Sequence, residues 1–253
     1  MTNIKPAATT TKTGTFYGVG VGPGDPGLIT VKALKLIQTS PVISYLVNDK
    51  GQSQGNNIAQ AAIAESGIKV VQGQQDIAIT MPMLTERKLA NTAYDDGAKQ
   101  IREQLLQGHD VVFLCEGDPL FFGSFSYLLE RLQEEFPCQV VPGISSVNAA
   151  ASALVQPLTM LTETFVVMSG RHTDMQLLNA LNHHDSIVIM KAGQARPRIL
   201  ALLEQSGRTN DAQYLEYIGR DNERIEKDVS KLEVEAGPYF SLFVILRSER
   251  KTR

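Results

Sequence analysis

Phe113-Leu114-Cys115-Glu116-Gly117-Asp118-Pro119-Leu120-Phe121-Phe122-Gly123-Ser124-Phe125 is the stretch that decides the fold. It follows Asp110-Val111-Val112, an apolar run of strand type with β-branched residues. It precedes Ser126 to Leu132, whose apolar spacing is helical. A strand therefore meets a helix through a loop of glycine, aspartate and proline. In an open α/β sheet, ligands sit outside the carboxyl ends of the strands, where backbone groups are free to bond them. Gly117 lets backbone approach a ligand closely, because it has no Cβ, and Pro119 stiffens the loop. Gly-Asp-Pro alone is common turn chemistry; the longer string is far more specific.

Upstream, Gly14 to Val21 reads as a first strand, running into Gly22-Pro23-Gly24-Asp25-Pro26-Gly27-Leu28-Ile29-Thr30. A helix from Val31 follows, with Thr30 as its cap. Gly22, Gly24 and Gly27 satisfy the dinucleotide pattern G-x-G-x-x-G, and Asp49 follows at about the right distance. Two prolines inside the loop remove amide donors that a pyrophosphate needs, and the helix starts late. The dehydrogenase reading is therefore set aside. Val42 to Leu46 is a second strand, ending in the polar segment Val47 to Asn57, with a helix from about Ile58. That segment is a ligand loop or a solvated connection. Ile68 to Val71 reads as a short strand, Ile77 to Met83 as an extended piece, and Leu89 to Gln107 as a long helix stopped by Gly108.

Downstream, Gln139 to Ser146 reads as strand, turn and helix start, with Ser145 or Ser146 as cap. A second α/β half follows. Its strands are expected at Thr164 to Ser169, Ser186 to Met190, Gln213 to Ile218 and Ser241 to Arg247. Its helices are expected at Asp174 to Leu181 and Arg196 to Gln205. The domains are expected at 14–142 and 143–253, after an N-terminal arm, 1–13, that lacks an apolar core and reads as disordered.

The chain has 253 residues, enough for two units that each bury a core. No run of about 18 apolar residues occurs, so no membrane span is predicted. The net charge of -3 and the lack of a basic block argue against nucleic acid as a partner. Cys115 and Cys138 have neither metal-ligand spacing nor a disulfide framework, and point to a reducing cytoplasm. His109, His172, His183 and His184 show no ligand spacing, so no metal is expected.

Three of these stretches, in this order, resemble signatures of the tetrapyrrole (corrin and porphyrin) methyltransferases: Gly20 to Thr30, Cys115 to Phe125, and Val141 to Ser146. Four segments resemble the precorrin-2 C-20-methyltransferases within that family: Cys115 to Phe125, Met81 to Asp95, Ile189-Met190-Lys191 and Pro238 to Leu242. The chain departs at Glu216, where Tyr217-Ile218-Gly219 replaces the expected Arg-Ala-Thr. Backbone contacts survive that change, whereas contacts of the missing arginine do not.

The resemblance implies two α/β domains with an active-site cleft between them, commonly in a homodimer. It implies S-adenosylmethionine as cofactor, held by Pro23, Glu116, Gly117, Asp118, Phe121, Ser145, Ser146, Met190, Tyr217, Ile218, Ser241 and Leu242. The acceptor would be an anionic tetrapyrrole, precorrin-2 or its cobalt form, methylated at C-20 for cobalamin synthesis. Tyr17, Asp49, Lys50, Arg87 and Lys191 are its candidate contacts. No residue is singled out as a catalytic base. The alternatives are methylation of another ring carbon, as in uroporphyrinogen III methylation, and a non-catalytic tetrapyrrole or nucleotide carrier.

Overall fold

The structure, a computed structural model, describes residues 12–82 and 87–247. The expected arm therefore lies outside the described residues up to position 11, as do residues 83–86 of the Met81 to Asp95 segment. The chain divides into two compact units, Met1–Ser145 and Ser146–Arg253, three residues beyond the division expected from sequence. Both are α/β. Among the described residues, no helix is long and apolar enough to cross a membrane.

The first unit runs β1 (Phe16–Gly20), α1 (Val31–Thr39), β2 (Val42–Val47), α2 (Gln54–Ser66), β3 (Gln75–Thr80), α3 (Arg87–Leu106), β4 (Val111–Cys115), α4 (Phe125–Leu132) and β5 (Cys138–Val141). Its sheet has the order β3-β2-β4-β1-β5, and every pairing is parallel. A parallel sheet covered on both faces needs strands that are apolar throughout, and β4 is buried at all its positions. Successive side chains alternate faces. Val111 and Phe113 join the cluster of Phe16, Ile101, Leu105, Phe125 and Leu128. Val112 and Leu114 join the opposite cluster of Val19, Ala33, Ile37, Ile43 and Ile58. α4 packs closely because β1 has a glycine beneath it: a Cβ on Gly18 would lie 2.7 Å from the Phe125 ring.

The second unit runs α5 (Ser146–Leu154), β6 (Phe165–Ser169), α6 (Asp174–His183), β7 (Ser186–Met190), α7 (Arg196–Gln205), β8 (Ala212–Glu216), β9 (Arg224–Glu226) and β10 (Ser241–Leu246). Its sheet has the order β6-β7-β10-β8-β9. β6 and β7 are parallel, while β10 runs antiparallel to β7 and β8. Leu177, Leu181, Ile187, Ile189, Ile199, Tyr214 and Phe243 belong to its core. Thr173 and Gln176 form a capping box that starts α6.

Three local expectations change. α2 begins at Gln54, not near Ile58, because the Ser53 hydroxyl accepts from the Asn56 amide at 3.2 Å and caps the helix early. Ile68 to Val71 is not a strand. Val70 and Val71 are exposed, and the segment is held by scattered bonds instead of a ladder, among them the Val71 amide to the Gln38 carbonyl at 2.9 Å and the Gln38 side-chain amide to the Lys69 carbonyl at 3.0 Å. β9, Arg-Ile-Glu, was not anticipated, because its pattern is too short to show a period.

Candidate functional site

In the first sheet the chain leaves β1 for β2 on one side and leaves β4 for β5 on the other. The ends of β1 and β4 therefore flank the switch point where open α/β sheets leave a crevice. There the two loops join. The Val21 amide donates to the Cys115 carbonyl at 2.9 Å, and the Gly117 amide to the Gly22 carbonyl at 2.8 Å, closing an isolated bridge between Gly22 and Gly117. Backbones touch across the end of β5 as well. A Cβ on Gly20 would lie 2.5 Å from the Gly117 carbonyl oxygen and 2.6 Å from Gly143 Cα. Gly117 is different: it has φ +67°, and a Cβ there would meet only Ser145 Cα at 3.8 Å and the Ile144 carbonyl at 3.9 Å. Its missing side chain leaves usable space.

Asp118 ties these loops. One carboxylate oxygen accepts from the Leu120 amide at 2.9 Å, closing its own turn, and the other accepts from the Gly143 amide at 3.1 Å. It thus holds the loop that carries Gly143 to Ser145 against the loop that carries Glu116 and Gly117. Ser145 is buried and Ser146 half-buried. Glu116 and Phe121 are exposed beside them, and Pro23 is buried just after β1. Burial pushes the Cys115 thiol well above its ordinary pKa; it and Cys138 are free thiols.

The dinucleotide-like loop has no row of open amides. The Asp25 carboxylate accepts from the Gly27 amide at 2.8 Å, and the Leu28 and Ile29 amides donate to the carbonyls of Asp25 and Pro26. The Thr30 hydroxyl takes the Ala33 amide.

The second unit gathers the remaining candidates at one edge of its sheet. Met190, at the end of β7, pairs with Leu242 at the start of β10, and Ser241 pairs with Glu216 at the end of β8. Tyr217 has φ +52°, and its amide donates to the Phe240 carbonyl at 2.8 Å. Ile218 is buried behind it. The Ser241 hydroxyl donates to the Pro238 carbonyl at 2.7 Å.

Beneath this edge lies a polar cluster that sequence reasoning missed. Arg196 and Glu216, both buried, form an ion pair at 3.5 Å. The Arg196 Nε donates to the Glu235 carbonyl at 2.6 Å, and its guanidinium lies 5.6 Å from the Tyr214 ring centre. Burial pushes the Tyr214 phenol up. Nothing in the spacing of Arg196 and Glu216 marks them as partners; only the fold sets the start of α7 against the end of β8.

The acceptor candidates are not gathered in the same way. Tyr17 lies at the second position of β1, at the opposite end of the strand from Gly20, and packs against the core. Asp49 and Lys50 occupy an exposed turn after β2, pinned by the Asn48 carboxamide, which accepts from the Lys50 amide at 2.9 Å. Arg87 opens α3, and its side chain lies outside the described residues. Lys191 follows Met190 with φ +53°.

The family model of the tetrapyrrole (corrin/porphyrin) methylases matches residues 15–233. The chain belongs to this family. Among curated relatives of this methylase is the cobalamin biosynthesis protein CobIJ of Mycobacterium tuberculosis, 32% identical over 94% of this chain and 47% of that protein. The chain therefore spans about half the length of that relative. The precorrin-2 C(20)-methyltransferase of a Sinorhizobium species is 31% identical, over 92% of this chain and 95% of that one. Among solved structures, the uroporphyrin-III C-methyl transferase of Thermus thermophilus complexed with S-adenyl homocysteine aligns with a TM-score of 0.62 at 24% identity. It covers 92% of this chain and 97% of that one, a likeness that shows the fold.

Proposed function

We propose that this methylase transfers a methyl group from S-adenosylmethionine to C-20 of precorrin-2 or its cobalt form, in corrin ring synthesis. The observation that carries the cofactor reading is the cradle at Gly117. A left-handed glycine lies beside the ends of β1 and β4 with only Ser145 Cα and the Ile144 carbonyl, at van der Waals distance, near its Cβ position, and Asp118 fixes the neighbouring loop. The C-20 reading rests on the Cys115 to Phe125 string and on the relative of that name aligned over nearly its full length.

The residues proposed to hold the cofactor are Pro23, Glu116, Gly117, Asp118, Phe121, Ser145 and Ser146 in the first unit. In the second they are Met190, Tyr217, Ile218, Ser241 and Leu242. When bound, S-adenosylmethionine supplies an activated methyl on a sulfonium centre. The chain's own part is then orientation: rigid loops hold donor and acceptor in line, which converts a bimolecular encounter into a positioned one. Tyr17, Asp49, Lys50, Arg87 and Lys191 remain the proposed acceptor contacts. The reading also takes the enzyme as a cytoplasmic homodimer.

The test is methyl transfer from labelled S-adenosylmethionine to precorrin-2, to its cobalt form and to uroporphyrinogen III, with the methylated carbon read by NMR. Label at C-20 of a precorrin-2 macrocycle is the expected result, and the faster of its two forms identifies the physiological acceptor. Label at another carbon, or none, would reject the C-20 assignment. Sedimentation equilibrium on the same preparation should give twice the chain mass; the single mass would remove the dimer.

A further inference from the structure

In the second unit, a cavity of about 270 Å³ opens where β6 and β7 end. These strands are parallel, so both carboxyl ends reach the same edge, the usual place for a ligand in such sheets. Its walls include Gly170, Arg171, Lys191, Gly193, Arg198 and Tyr239. Backbone packs tightly around it. A Cβ on Gly170 would lie 2.7 Å from the Lys191 carbonyl oxygen, and the Gly170 amide donates to the Met190 carbonyl at 2.7 Å.

Three cations line this cavity, and they are not equivalent. The Arg198 guanidinium is engaged by the chain itself, donating to the His172 carbonyl, the Asp174 carboxylate and the Gly170 carbonyl. It braces the wall. Arg171 is exposed, and none of the described carboxylates pairs with it. Its amide donates to the Ser169 hydroxyl at 3.2 Å, which fixes the turn that presents it. Lys191 is half-buried and held at φ +53°, a left-handed conformation that a residue with a side chain adopts only when its surroundings impose it. The chain carries a net charge of -3, yet this concavity is lined by positive groups and by no carboxylate among the described residues. Such a pocket concentrates anions whatever the overall sign.

We infer that this cavity seats a carboxylate arm of the tetrapyrrole acceptor, with Arg171 and Lys191 as its binding residues and Arg198 as a positioning residue. The inference rests on the proposed reading of the chain as a tetrapyrrole methyltransferase, and it supplies part of that enzyme's acceptor recognition. The volume, about 270 Å³, lies below the usual range of about 300–1,000 Å³ for drug-sized ligands, so it suits a side arm better than a whole ring. Arg171 offers a planar fork that matches a carboxylate, and Lys191 offers a point charge. Arg171 was not among the candidates from sequence, because one arginine in Ser-Gly-Arg-His carries no pattern.

The experiment is a fluorescence titration of the full chain with uroporphyrin III, an octacarboxylate, beside calorimetric titration with S-adenosylhomocysteine. Wild type, Arg171→Ala, Arg171→Lys and Lys191→Met are compared, with melting curves to establish that each is folded. Arg171→Ala and Lys191→Met should bind uroporphyrin about ten- to a hundredfold more weakly, the range for a charged hydrogen bond. Arg171→Lys should recover most of the loss, and S-adenosylhomocysteine affinity should stay at the wild-type value in all. Uroporphyrin affinities equal to wild type in both charge-removing variants would overturn the inference, as would a wild type that does not bind uroporphyrin. A loss confined to S-adenosylhomocysteine would overturn it too, by giving the pocket to the cofactor's own carboxylate. The C-20 transfer assay on wild type is scored separately. C-20 product with unaltered variants removes the subsite and keeps the function, whereas weakened variants without C-20 product do the reverse.

Discussion

At the scale of single residues, Gly117 and Asp118 separate structural from ligand-binding roles. Gly117 has space around its missing Cβ, so substitution is opposed by its backbone angle and not by a neighbour. A left-handed residue with a Cβ costs roughly 1–2 kcal/mol, and Gly117→Ala should melt correspondingly earlier without ligand. Gly117→Val extends a branched side chain into the cradle; it should also weaken S-adenosylhomocysteine binding by about tenfold or more, beyond what its melt explains. Asp118→Asn keeps one acceptor oxygen and loses the other, so either the Leu120 or the Gly143 bond fails. A hydrogen bond to a charged group is worth roughly 1.5–3 kcal/mol, and the variant should lose about that much stability. Calorimetric titrations and ligand-free melts on the same preparations check all three. Wild-type affinity in folded Gly117→Val would take this loop out of the cofactor site.

At the scale of elements, the clearest sequence signals were periodic or capped. β7 and α7 fall where the apolar pattern places them, at Ser186–Met190 and Arg196–Gln205. The β4 loop was legible because its glycine, aspartate and proline each favour turn backbone for a known physical reason. The misreading at Val70-Val71 came from taking β-branched residues as sufficient for a strand, when an exposed edge without a partner gains nothing from them. The tie from Asp118 to Gly143 and the pair Arg196–Glu216 were invisible, since each joins residues that only the tertiary fold brings together. That pair also predicts behaviour. α7 presents Arg196 to the end of β8 and to the carbonyls of Glu235 and Ala236, just ahead of β10. Arg196→Met would leave Glu216 buried and unpaired, a change that typically costs about 3–5 kcal/mol. Arg196→Met/Glu216→Leu should recover a large part of it, because an apolar pair needs no solvation. Urea denaturation of the three proteins measures the difference; an equally unstable double variant would show that the carbonyl bonds of Arg196 matter more than its ion pair.

At the scale of the whole molecule, each unit has the requirements for folding by itself. The first has a parallel sheet with an apolar cluster on either face, one around Phe113 and Phe125 and one around Val112 and Ile43. The second has its own cluster around Tyr214, Phe243 and Leu177. A domain with its own core unfolds as its own cooperative unit. Two calorimetric transitions are therefore expected, and core substitutions assign them. Phe125→Ala removes a fully buried ring that lies 5.1 Å from Phe16. Phe243→Ala removes one that lies 4.8 Å from Tyr214. Each deletion should cost about 3–5 kcal/mol within its own unit. The first should lower one transition and leave the other within a degree or two, and the second should do the opposite. Arg196→Met should move with Phe243→Ala, and Asp118→Asn with Phe125→Ala, since each pair shares a unit. A single transition that every variant lowers alike would mean that the two units unfold as one, and their separate cores would then be divisions of packing and not of stability.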